Sequence, residues 1–443
     1  MKWAVYNALF GVVWLFLLPG FLLRMFRRGG YAARMGDRFA LYPPEICAKI
    51  RSAWRSGGAA RQDASGHDVP PPSAWIWVHA VSVGEVQVAG QLMREWRAAE
   101  PDVRFCFSTT SSTGWKMASR EVTDRDVLIY NPLDFPNYVK SALGLVRPRA
   151  IVLTESEIWP VFIRAAAKRN IPVFLVNARV SDRSAPRYRL ARFFFKDVFG
   201  CFTRIFAQSE SDRERLVAAG APADRIQVTG SFKFDVAVRK PEKEQELSDW
   251  LSAEKARRIL LGGSTWPGED EVLLRIMKRL DGVTLVLAPR HFEKADAVES
   301  NILRAGFACV RRSRGDIAPS AGKRVYLADT TGELMGLYGI ADTVFVGKSL
   351  CAHGSQNMIE PCLCGKPTLV GPHTENFRPV MSDLLAADAL IQVSDEEALA
   401  REIGRLFKEP AAAAELGLRA TAAVLRRQGV VASSVAAVRE ALM

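Results

Sequence analysis

Short apolar runs ending on small or acidic residues recur through this chain, at 75–83, 103–108, 127–130, 150–154, 173–177, 204–208 and 227–229. Each is too short for a helix, and helix-length amphipathic stretches separate several of them. That alternation is the signature of strands buried on both faces of a parallel sheet and joined by helical crossovers. The pattern lapses over 236–257, which is polar and charged. It restarts at 259–261, 284–288, 308–311, 325–327, 343–346 and 367–370. The chain therefore reads as two α/β halves, 74–235 and 258–425, joined by a linker at 236–257 and followed by a C-terminal helix at 426–443. Ligands of such sheets lie beyond the carboxyl ends of the strands, and two facing halves would form a cleft.

Residues 3–23 contain no charged side chain. About 20 apolar residues cross a bilayer as a helix, so 1–26 reads as a membrane-anchor helix. Arg24, Arg27, Arg28, Arg34 and Arg38 follow, opposed only by Asp37, whereas Lys2 alone precedes it. By the positive-inside rule the bulk of the chain then faces the cytoplasm, behind a single membrane anchor. The alternatives are a signal peptide, for which the run lacks an A-x-A site, and a buried core helix. Residues 27–73 read as a basic juxtamembrane segment and linker, with Gly, Ser and Pro dense over 56–73. Within 24–55, Met25, Phe26, Tyr31, Phe39 and Tyr42 suit either acyl-chain contact or ordinary packing.

The net charge is +12, from 60 Lys+Arg against 48 Asp+Glu. Such an excess points to an anionic partner: nucleic acid, an acidic membrane surface or a phosphorylated substrate. The chain lacks the interleaved aromatic and basic residues of RNA-binding modules, so no nucleic acid is expected. Seven cysteines form no CxxC pair. Cys362 and Cys364 beside His353 are too loosely spaced for a zinc site, and the cysteines read as reduced, packed thiols. No metal and no cofactor are expected.

Five constellations carry chemistry. Ser82-Val83-Gly84-Glu85 ends the first strand; Glu85 there is either a helix-capping acid or a general base facing the site. Glu155-Ser156-Glu157-Ile158-Trp159-Pro160 follows another strand, and capping explains one of its two acids more easily than both. Leu261-Gly262-Gly263-Ser264-Thr265 reads as a glycine-rich turn able to bring backbone N–H groups to a phosphate, without the lysine of a Walker loop. Pro289-Arg290-His291 ends another strand, with Arg290 either solvated or gripping an anion. The last runs from Gly332-Glu333-Leu334 through Gly354-Ser355-Gln356-Asn357-Met358-Ile359-Glu360 to Gly371-Pro372-His373-Thr374-Glu375-Asn376-Phe377. A small-residue loop entering a helix that carries Glu360 suggests a nucleotide-sugar site.

Together these segments resemble the bacterial 3-deoxy-D-manno-oct-2-ulosonic acid (Kdo) transferases of lipid A biosynthesis. The resemblance rests on SVGE at 82–85, ESEIWP at 155–160, NARVSDRS at 177–184, VTGSFKFD at 228–235, PRH at 289–291, GEL at 332–334, ADTVFVG at 341–347, NMIEP at 357–361 and GPHTENF at 371–377. It implies a B-type glycosyltransferase fold, with a Rossmann-like acceptor domain at 74–235 and a Rossmann-like donor domain at 258–425. It implies a CMP-Kdo donor, a lipid A precursor as acceptor and contact with anionic inner-membrane lipids. The resemblance makes Glu85 the general base of an inverting transfer and Glu155 a second acid. Arg290, His291, Ser264, Gly332, Glu333, Asn357, Glu360 and Lys233 become donor-site residues. Two departures bear on the donor: Trp266 and Gln356 stand where the family usually has histidine. A B-type glycosyltransferase using a UDP-sugar is the alternative.

Overall fold

The computed structural model describes residues 2–28, 32–56, 61–62, 68–69, 75–182, 184–236, 241–251, 258–316 and 323–443. The chain forms two compact units, 1–232 with 429–443, and 233–428.

A two-residue antiparallel pair, β1 (Arg61–Gln62) and β2 (Asp68–Val69), lies in the Gly/Ser-rich segment. The first unit is then built on β3 (Trp75–His79), β4 (Arg104–Thr109), β5 (Val127–Tyr130), β6 (Ala150–Thr154), β7 (Val173–Ala178), β8 (Arg204–Ala207) and β9 (Ile226–Val228). All pair in parallel, in the order β5-β4-β3-β6-β7-β8-β9. Side chains alternate across a strand, so Trp75 and Trp77 enter one core layer while Ile76 and Val78 enter the other. Burial of both faces explains why these strands read as unbroken apolar runs. The C-terminal helix Val430–Glu440 belongs to this unit, with Val430, Val431, Val435 and Val438 packed in the second layer.

The N-terminal helix spans Lys2–Arg28. Its aromatic residues dock one face onto the first unit. Trp3 and Tyr6 pack on Phe194, Phe10 and Trp14 pack on Phe135, and the Arg164 guanidinium lies 4.2 Å from the Trp3 ring. The Tyr6 hydroxyl donates to Asp134 at 3.1 Å. The other face leaves Val5, Leu9, Val12, Val13, Leu15 and Phe16 in solvent, Phe16 being 82% exposed. Among the described residues no helix is long and apolar enough to cross a membrane. The side chains of Arg24, Arg27, Arg28, Met25, Phe26 and Tyr31 lie outside the described residues.

In the rest of the juxtamembrane segment the described side chains take the packing alternative. Arg38 is buried, donates to the Thr110 carbonyl and lies over the Tyr130 ring. Arg34 pairs with Asp37 at 2.8 Å. Phe39 packs edge-on against Tyr138, and Tyr42 is in the core. These side chains face protein because Asp37 and the strand-end aromatics offer charge and apolar partners there.

The second unit is built on β10 (Arg258–Thr265), β11 (Val283–Pro289), β12 (Ala308–Arg311), β13 (Arg324–Leu327), β14 (Thr343–Val346), β15 (Thr368–Val370) and β16 (Ile391–Gln392). It too is all parallel, in the order β12-β13-β11-β10-β14-β15-β16. Here the expected glycine-rich turn is corrected. Gly262 and Gly263 continue β10, paired with Leu287 and Ala288 on one side and Phe345 and Val346 on the other. They are small because a Cβ on Gly262 would stand 2.6 Å from Leu273 and one on Gly263 would stand 2.8 Å from the Tyr338 hydroxyl. Ser264, where φ is +53°, makes a bulge within β10, and the strand ends only at Thr265.

Candidate active site

In each sheet the strand order reverses beside the first strand, and such switch points are where α/β sheets open to ligands. In the first unit the reversal falls between β3 and β6, and the segments leaving those two strands carry three acids.

Ser82 caps the helix Val83–Ala99: its hydroxyl oxygen accepts the Glu85 N–H at 3.3 Å. The Glu85 carboxylate reaches back to accept the Val81 N–H at 2.9 Å and the Ser82 hydroxyl at 3.0 Å. The capping reading of Glu85 is thus realised in full. It leaves the acid buried, and burial, then the charge of Glu155, raises its pKa, outweighing the hydrogen bonds that lower it. Glu155 takes a positive φ of +52°, pairs with Arg179 at 3.0 Å and accepts from Asn177 at 3.4 Å.

Glu157 is the acid the sequence motif contained without marking out. It accepts the Trp159 indole N–H at 2.9 Å. Burial, then the charge of Glu85, raises its pKa to about 7. Its Oε2 is 3.9 Å from Nε2 of His79. That histidine ends β3, is wholly buried and has its pKa pushed down to about 3 by burial. Its Nδ1 meets Ser108 Oγ at 2.8 Å and the Ser108 carbonyl at 3.1 Å, and among the described residues its Nε2 has no hydrogen bond. No motif flags His79, because within an apolar strand it reads as one more buried residue.

In the second unit the reversal falls between β10 and β14. A cavity of about 260 Å³ opens at the carboxyl ends of β10, β11 and β13, lined by Ser264, Arg290, Phe292, Thr330, Gly332 and Glu333 among others. Four expected site residues therefore share it. Among the described residues Arg290 has no carboxylate partner, and its backbone N–H is fixed to the Thr265 carbonyl at 3.0 Å. Glu333 is spoken for: Arg312 donates to it at 3.0 and 3.3 Å and the Thr330 hydroxyl also donates. Those bonds outweigh burial and hold its pKa below the usual range. Its carboxylate serves the loop, and Gly332, with φ of +84°, provides the turn.

The other expected residues sit elsewhere in the unit. Asn357 donates to Glu360 at 3.0 Å and accepts the Ile359 N–H at 3.1 Å, so the pair orders the entry to the helix Ile359–Leu363. Lys233 donates to the Asn376 carbonyl at 3.2 Å and lies over the Phe377 ring. His291 lines a different cavity of about 120 Å³ with Trp266, Pro267 and Asn301, and its ring meets Trp266 edge-on at 5.4 Å. Lys348 stacks on the same indole at 4.6 Å. The tryptophan in place of the usual histidine thus holds two polar side chains rather than presenting one. Cys362 and Cys364 are buried thiols, and His353 is engaged elsewhere.

One organising residue was missed. Glu269, fully buried, accepts the N–H groups of Trp266 and Lys348 at 2.8 Å, of Ser349 and Leu350 at 3.0 Å and of Cys351 at 3.4 Å. One carboxylate thereby ties the loop after β10 to the loop after β14. Gly347 permits the approach: a Cβ there would stand 2.4 Å from the Ser264 carbonyl.

Residues 34–236 match the family described as 3-Deoxy-D-manno-octulosonic-acid transferase (kdotransferase). The 3-deoxy-D-manno-octulosonic acid transferase of Haemophilus influenzae is 32% identical over 82% of this chain and 86% of its own. The enzyme of the same name from Bordetella pertussis is 32% identical over 89% of this chain and 90% of its own. The chain belongs to the Kdo transferase family. It is a glycosyltransferase. Among solved structures, Anabaena HepE in complex with UDP superposes with a TM-score of 0.59 over 83% of this chain and 99% of its own, at 13% identity. At that identity the likeness is one of fold alone, two parallel α/β sheets in one chain. As a Kdo transferase the chain carries its acids at the switch point of one unit and, at that of the other, an arginine with no carboxylate partner among the described residues.

Proposed function

We propose that the chain transfers Kdo from CMP-Kdo to the lipid A precursor lipid IVA, with inversion at the anomeric carbon and Glu85 as general base. The observation that carries this reading is Glu85 itself, a buried acid at the β3 switch point whose pKa is raised, chiefly by burial, which makes it a stronger base than an exposed carboxylate. The acceptor hydroxyl oxygen attacks the anomeric carbon of Kdo and its proton passes to a Glu85 carboxylate oxygen. The bond from that carbon to the phosphate oxygen breaks, and CMP departs with the electron pair. Arg290, free of carboxylate partners among the described residues, supports a role in holding the phosphate as negative charge develops on it. Ser264 and Gly332 line the same cavity and would face the donor. Glu155, held by Arg179, keeps negative charge beside Glu85 and so strengthens it as a base.

The exposed apolar face of the N-terminal helix supports membrane attachment at the cytoplasmic leaflet of the inner membrane, where the acylated acceptor lies.

The donor half of the reading is tested by nucleotide protection. CMP should raise the unfolding temperature of wild type and fail to do so for Arg290→Ala. Protection by UDP and not CMP would favour the UDP-sugar alternative, for which Trp266 and Gln356 are the residues to examine.

A further inference from the structure

The loop after β15 contains His373 and Glu375, and neither acts in the transfer just described. The loop after β14 brings His353 to them. His353 Nδ1 is 3.0 Å and His373 Nδ1 is 3.6 Å from Glu375 Oε1, and the two imidazole centroids are 4.0 Å apart. One ligand atom from each residue lies within 4.8 Å of the others. Zn–N and Zn–O bonds of about 2.0–2.2 Å place tetrahedral ligands about 3.3 Å apart, so small rotations of these side chains converge on one ion.

The backbone beneath is fixed. The Gly371 N–H donates to Ser349 Oγ at 2.8 Å, the His373 N–H to the Ser349 carbonyl at 3.0 Å and the Asn376 N–H to the Gly354 carbonyl at 3.3 Å. Gly354, with φ of +114°, lets Asn376 close on it, since a Cβ would stand 2.3 Å from its Nδ2. Two loops are thus already cross-linked where the three side chains meet. Two imidazoles and one carboxylate make a donor set that suits zinc rather than magnesium or calcium.

We propose that His353, His373 and Glu375 form a binding site for one Zn2+-type divalent cation, which staples the loop after β14 to the loop after β15 and leaves its fourth position to solvent. None of the three residues lines the cavity holding Arg290, so the proposal does not depend on the identity of the donor.

The test uses the untagged full chain in detergent, stripped with chelator. Zn2+ is titrated against a chromophoric competitor, and Co2+ is titrated while its visible spectrum is followed. The expected result is one Zn2+ per chain, raising the unfolding temperature, and a Co2+ spectrum free of thiolate charge transfer. His353→Ala, His373→Ala and Glu375→Gln should each weaken binding about ten-fold or more. These side chains are at least partly exposed, so the metal-free unfolding temperature should hold steady and report an intact fold. Cys351→Ser removes the exposed thiol of the same loop and should bind as wild type. Absence of Zn2+ binding by wild type, undiminished binding by the three variants, or a thiolate band lost in Cys351→Ser would each overturn the proposal.

Discussion

Ser82 and Glu85 cap each other: the serine hydroxyl takes the glutamate's N–H at 3.3 Å and donates back to its carboxylate at 3.0 Å. One acid thus finishes a helix and stands as the proposed base, and the two duties separate by substitution. Glu85→Gln keeps an oxygen for Ser82 and should lose less than about 1 kcal/mol of stability. Its transfer rate should fall by about 10² to 10⁴. Ser82→Ala should cost about 1 kcal/mol yet retain most activity. Denaturant unfolding beside transfer rates reads both; a parallel loss in the two variants would make Glu85 a cap alone.

Glu157 should impose a pH signature on stability. Its pKa rises from an ordinary 4.5 to about 7, chiefly through burial and then through Glu85. The fold therefore favours its neutral form. That contribution is complete below pH 4.5 and is lost as pH climbs through 7. Glu157→Gln stays neutral, so it should match wild type near pH 4.5 and exceed it above pH 7 by up to about 3 kcal/mol. Chemical denaturation from pH 4.5 to 8.5 measures the gap. A gap independent of pH would show that the carboxyl titrates normally.

Glu269 should be the most sensitive residue of the second unit. Glu269→Ala strands five loop N–H groups around a void and should cost at least about 3 kcal/mol, with loss of CMP protection. Glu269→Gln keeps the volume but turns an NH2 toward N–H donors, and should fall between. Calorimetry with and without CMP checks both; a near-neutral Glu269→Ala would mean the loops hold without it.

Leu9→Glu and Phe16→Glu place charge on the exposed face of the N-terminal helix without touching its aromatic contacts to Phe135 and Phe194. The pair together should lower flotation with anionic vesicles and leave the unfolding temperature unchanged. Unaltered flotation would take this face out of membrane contact.

Much of the fold was legible because strands buried on both faces leave apolar runs with sharp ends, as at Val127–Tyr130 and Ala150–Thr154. Ile391–Gln392 was not, since two residues carry no period. Gly262-Gly263 misled because glycine inside a strand, where neighbouring side chains leave no room for a Cβ, looks the same in sequence as glycine in a turn. The acids of the first unit could be found because Glu85 and Glu155 follow strands. Glu157 and His79 gain their character from mutual burial, which spacing does not encode. Glu269 lies in the motif where Trp266 replaces the usual histidine, and four of its five partners come from a loop some 80 residues later.

The account rests most directly on the identity of the product. Detergent-purified chain would be given lipid IVA and CMP-Kdo, the donor regenerated in situ, and the lipid read by mass. The account predicts a lipid heavier by Kdo with wild type and none with Glu85→Gln. An unchanged lipid from folded, CMP-binding wild type, or a lipid modified only when a UDP-sugar is supplied, would contradict it.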